Sequence, residues 1–117
     1  MKRDIDLVRT LLQKISDEAV PGKWYYPDVD GKSQTEINYH LRLLIQAELV
    51  TAENLSSKEG ESYGVTGLHW NGHEFLDATR SNSVWKKTMD YVKEKGGSMT
   101  FEILKSVAVK FAAEAIN

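Results

Sequence analysis

The chain has 117 residues, 41% of them apolar and 27% charged, and no cysteine. That length and balance suit one globular domain with its own core, and the missing cysteines exclude a disulfide framework, thiolate-bound zinc and a thiol nucleophile. A net charge of −2 and a pI of about 5.9 lack the basic excess that a dedicated nucleic-acid binder uses against phosphates, so any DNA-facing surface must be local.

The opening Met1-Lys2-Arg3-Asp4 leads straight into a charged amphipathic segment, which predicts neither a signal peptide nor a membrane span. Asp4 or Asp6 can cap a first helix whose apolar positions Leu7, Val8, Leu11, Leu12 and Ile15 recur at helical spacing, and Pro21-Gly22 closes it. Trp24-Tyr25-Tyr26 reads as a short edge strand cut by Pro27, and Asp28 to Gly31 as a turn. Ser33-Gln34-Thr35-Glu36 has the pattern of a capping box. In the helix that follows, Ile37, Leu41, Leu44 and Ile45 share one side, with His40 at its edge, while Thr35, Asn38, Tyr39, Arg42 and Gln46 share the other. Two strands are expected at Leu49–Ala52 and Tyr63–His69, joined by the polar hairpin loop Asn54–Glu61. Asn71 should cap a short helix, with Trp70 and Phe75 as its hydrophobic staple and an end near Arg80. A further helix carries Trp85, Thr88, Met89 and Val92 on one face and stops at Gly96-Gly97. The last runs from about Thr100 with Leu104, Val107, Ala108 and Phe111 as its stripe. The expected fold is therefore mostly α with a small β-hairpin, a winged-helix-like α+β single domain. Residues 1–80 form its core and residues 81–117 a helical extension packed on the same domain.

The run Ile37-Asn38-Tyr39-His40-Leu41-Arg42-Leu43-Leu44, with its exit Ala47-Glu48-Leu49-Val50, resembles the recognition helix and first wing strand of ArsR-type regulators. Two departures accompany the likeness. Glu48 stands where that family usually has glycine, which predicts a different helix end, and residues 21–33 leave too little sequence for the usual leading helix. A wider resemblance covers almost the whole chain. Met1 to Arg9, Tyr39-His40-Leu41, Leu68-His69-Trp70-Asn71-Gly72-His73-Glu74-Phe75-Leu76-Asp77 and Val84-Trp85-Lys86-Lys87 look like an uncharacterised family of small phage- and prophage-encoded proteins, a domain of unknown function. The likeness implies a phage or prophage origin, and with it the host cell cytoplasm, but it brings no activity.

The outward face of the Ser33–Ala47 helix is the leading candidate site. Arg42 can grip guanine or phosphate, Asn38 and Gln46 can read adenine, and Thr35 and Tyr39 can reach phosphates, as a helix entering a major groove requires. The plainer reading is a solvated polar face, or one that packs on the chain's other helices. Lys58, with Ser56 and Ser57, can touch phosphates from the loop, but Glu59 and Glu61 oppose this, and an ordinary exposed hairpin loop explains the stretch as well. His69 and His73 fall on opposite sides of a strand–helix boundary, so no metal site is expected there. An EF-hand register on Gly31 would need Tyr26 and Ile37 as calcium ligands, and neither can serve. Trp24, Tyr25 and Tyr26 cannot all point inward along a strand, so either Tyr25 or the flanking pair should be exposed. The final helix is apolar on more than one side, with Val107, Val109, Phe111, Ala112, Ala113 and Ile116, which invites a homodimer or burial beneath the first helix. Nucleophile elbows, phosphate loops and Cys/His arrangements are lacking, so the expectation is a binding protein without catalysis or cofactor. Two partners stand open. One is double-stranded DNA, bound by a phage-derived regulator. The other is a host protein or nucleoprotein complex, bound by a phage accessory or counter-defence factor.

Overall fold

A computed structural model describes residues 1–96 and 100–116; the expected helix end at Gly97 and the side chain of Ile116 lie outside the described residues. Five helices and one antiparallel hairpin follow in the order α1 (Ile5–Glu18), α2 (Gln34–Gln46), β1 (Val50–Asn54), β2 (Tyr63–Leu68), α3 (Trp70–Ala78), α4 (Asn82–Glu94) and α5 (Phe101–Ile116). Two compact units divide the chain, Met1–His73 and Glu74–Asn117, and α3 begins in the first and ends in the second.

In the first unit Asp4 is the residue that caps α1, its carboxylate accepting the Leu7 N–H at 3.1 Å. Leu7, Val8, Leu11, Leu12 and Ile15 are all buried, as their spacing predicts. Ser33 caps α2 through its hydroxyl, which accepts the Glu36 N–H at 3.1 Å. Only half of the expected box forms, because the Glu36 carboxylate lies 3.9 Å from the Lys32 ammonium. Ile37, Leu41 and Leu44 face the core, where α1 packs on β2 and α2, and α2 packs on β1.

The expected different end of α2 does not occur. Glu48 takes the left-handed conformation at φ 58°, its N–H bonds to the Ile45 carbonyl at 3.0 Å, and the Leu49 N–H reaches the Leu44 carbonyl at 2.9 Å. This is the double-bonded Schellman stop that a glycine would make, sealed by the buried Leu44 and Leu49. Burial of that leucine pair outweighs the strain of one glutamate.

β1 and β2 pair with Val50 opposite Leu68 and Asn54 opposite Tyr63, interrupted by a bulge between Thr51 and Ala52. The expected edge strand at Trp24–Tyr26 shrinks to a single bridge, in which Tyr25 and Val65 exchange two backbone bonds of 2.8 and 2.9 Å. The turn expected at Asp28–Gly31 falls one residue later, at Val29–Lys32, closed by the Lys32 N–H on the Val29 carbonyl at 3.1 Å. α3 starts one residue before its predicted cap. The His69 carbonyl receives the Gly72 and His73 N–H groups, and Trp70 is 79% exposed, so it staples nothing. Gly72 permits this early start, since a Cβ there would stand 2.3 Å from the Leu49 carbonyl oxygen.

In the second unit Phe75 is fully buried, edge-on to Trp85 at 6.1 Å and tilted against Phe101 at 5.3 Å. Ser81 caps α4, whose Val84, Trp85, Thr88 and Val92 are buried. Gly96 supplies the left-handed residue that stops α4. Leu104 and Ala108 anchor α5, while Ile103 and Val109 stay about half exposed.

Candidate functional site

Helix α2 positions every expected reader residue except Lys58. Because 3.6 residues make a turn, Thr35, Asn38, Tyr39, Arg42 and Gln46 climb one side, opposite the buried Ile37, Leu41 and Leu44. Thr35, Arg42 and Gln46 are exposed, while Asn38 and Tyr39 are half-buried. The hairpin then reaches back over this face. Its tip is braced by paired backbone bonds between Ser57 and Gly60, and by the Ser56 hydroxyl, which accepts the Ser62 N–H at 3.0 Å. Lys58 and Glu59 project from the turn so formed, exposed and of opposite charge.

Glu61, weighed in the sequence only as a group that would repel phosphate, is the joint between helix and hairpin. Its carboxylate lies 2.7 Å from the Arg42 Nε and accepts the Tyr63 hydroxyl at 2.6 Å. Its backbone carbonyl accepts the Asn38 amide at 2.7 Å. Burial, with the Glu61 carboxylate beside it, pushes the Tyr63 phenol up from its ordinary value. Arg42 also lies 5.3 Å from the Tyr39 ring centroid, a cation–π distance. Arg42 and Asn38 are thus held by the chain itself. Two shallow clefts flank the joint, one lined by Gln34, Thr35, Asn38, Glu59, Gly60 and Glu61, the other by Arg42, Ile45, Gln46, Ala52, Asn54 and Tyr63. Nothing in the sequence pattern points to Glu61, because its partners on α2 lie 19 and 23 residues away.

The inner side of α2 holds a second polar arrangement. His40 is fully buried, its Nε2 accepting the Asp4 backbone N–H at 2.9 Å and its Nδ1 lying 2.8 Å from the Glu36 carbonyl. A carbonyl only accepts, so the ring is the neutral tautomer protonated at Nδ1. Partial burial acts to raise the Asp4 carboxyl. The Leu7 N–H and the Lys32 ammonium at 3.1 Å outweigh it and hold the group below its usual range. This cluster pins the start of α1 to α2 and is structural.

Among the described residues no three His, Cys, Asp or Glu side chains gather as a metal site, and His69 and His73 are both exposed at the start of α3. Among the same residues no helix is long and apolar enough to cross a membrane.

Residues 2–98, from before α1 to beyond α4, match the family model described as "Hypothetical protein (DUF2513)". The chain belongs to the DUF2513 family. A relative from Haemophilus influenzae, described as an uncharacterized protein, is 33% identical over 109 residues, covering 92% of each chain. No solved structure matches the chain. The α2 face and the Glu61 joint fall within residues 2–98, the stretch that the family model matches.

Proposed function

We propose that this DUF2513 protein is a phage- or prophage-derived binding protein of winged-helix type, active in the host cytoplasm without catalysis, whose α2–hairpin face docks on a basic protein surface. The observation that carries the reading is the pairing of Arg42 with Glu61. It neutralises the strongest cation on the face. With Arg42 and Glu61 paired, the exposed Lys58 and Glu59 at the hairpin tip offset each other, so the face keeps no cation excess with which to hold phosphates. A face without that excess holds a duplex poorly, whereas Glu59, exposed at the tip, gives a basic protein groove a carboxylate to meet.

Duplex DNA is the second reading, favoured by topology. The Tyr25–Val65 bridge sets a short strand beside the second hairpin strand, as in winged helices, and Thr35 and Gln46 remain exposed on α2. One titration separates the two. The protein-facing reading expects no duplex binding at 50 mM salt and retention of a host protein that Glu59→Lys/Glu61→Lys releases. Duplex binding that falls steeply with salt, and that Arg42→Ala weakens by about 1–3 kcal/mol, would overturn it in favour of DNA.

A further inference from the structure

The Trp24–Tyr26 segment offers another surface, made of residues that the α2 face does not use. Tyr25 bonds to Val65 and turns inward, its hydroxyl donating to the Glu18 carboxylate. Alternation along the chain therefore sends Trp24 and Tyr26 to the opposite side, where they are 53% and 55% exposed. Trp24 is seated on β2: a Cβ on Gly64 would come within 2.6 Å of its Cγ. Gly64 in turn lies in register with Glu53 of β1, an exposed residue. An indole face and a carboxylate thus share the outer side of the sheet around a position that has no side chain. Among the described residues no cation pairs with Glu53. Glu53 is the carboxylate that the strand register sets on this face, opposite the glycine on which Trp24 sits.

We propose that the outer sheet face binds an arginine of an extended basic segment in a partner protein, the guanidinium stacked on Trp24 and paired with Glu53. The ring quadrupole attracts a cation over its face, and the neighbouring carboxylate supplies the second contact. Arginine fits better than lysine because its planar group stacks and forks at once. A nucleic-acid base would also stack on Trp24, but its phosphates would meet Glu53.

The test is a titration of the ¹⁵N-labelled full chain with nona-arginine and with nona-lysine at matched ionic strength. Residue-resolved NMR follows the indole and amide signals, and calorimetry gives the affinity. The expected result is a shift of the Trp24 indole and Gly64 amide, with the arginine peptide bound at least about threefold more tightly. Trp24→Ala, Trp24→Leu and Glu53→Gln should each weaken arginine-peptide binding by about threefold or more, Trp24→Leu keeping an apolar seat on Gly64. Glu59→Gln/Glu61→Gln should leave the Trp24 shift in place, which separates this surface from the α2 face. Equal binding of both peptides, unchanged affinity in Glu53→Gln, or an oligothymidylate that moves the Trp24 indole would overturn the proposal.

Discussion

Glu48 sits in a backbone region that side-chain-bearing residues avoid, yet all the hydrogen bonds of its helix stop are made. Replacing it should therefore relieve strain without breaking a contact. Glu48→Gly is expected to stabilise the protein by about 0.5–1 kcal/mol, less than the full strain because glycine also loosens the unfolded chain. An upward shift of the urea midpoint at constant slope would show it. Gly72 is the converse case. Any Cβ meets the Leu49 carbonyl, which is backbone and cannot swing aside, so Gly72→Ala should cost about 2 kcal/mol or more. At Asp4 the lowered carboxyl contributes stability at neutral pH that is lost as the pH falls through its folded value, below the ordinary one of about 3.9. Asp4→Asn keeps an acceptor at the cap but removes the charge beside Lys32. The stability gap between the two proteins should close below about pH 4, and denaturant midpoints measured from pH 7 to pH 3 would reveal any failure to converge.

Among the elements, α2 was the most legible. Its capping serine, its apolar stripe and its polar face follow from three- and four-residue spacing, which depends on neighbours close in sequence. What that spacing could not disclose is how the polar face is used, because Glu61 arrives from a different element. The same cause explains two other differences. The start of α3 depends on how closely Gly72 approaches Leu49, and the Trp24–Tyr26 strand is cut to a bridge where Tyr25 meets Val65. Both are decided by distant backbone. Strong local propensity cannot report them. The Arg42–Glu61 pair is itself a modest stabiliser, because its side chains are 46% and 30% exposed. A double-mutant cycle with Arg42→Ala and Glu61→Gln should return a coupling below about 1 kcal/mol. The joint's weight is in aiming the hairpin and occupying the arginine, so its loss should be felt in binding before it is felt in folding.

Across the whole molecule, the two units differ in how their cores are built. The first relies on aliphatic stripes from α1 and α2 with the hairpin, and the second centres on the Phe75, Trp85 and Phe101 rings. Phe75→Ala should cost about 3–5 kcal/mol, read as faster hydrogen exchange in α4 and α5. Charge divides as well: Met1–His73 holds eight Lys and Arg against eleven Asp and Glu, while Glu74–Asn117 holds seven against six. The acidic balance of the molecule thus belongs to the unit that presents α2 and the aromatic segment. The three tryptophans follow the same division, Trp24 and Trp70 open to water in the first unit and Trp85 at 7% exposure in the second. The protein therefore comes with built-in fluorophores of two kinds, a red-emitting, acrylamide-quenchable pair and a shielded blue emitter, so an unlabelled sample can reveal by colour alone whether a ligand has touched its surface or a solvent has melted its aromatic core.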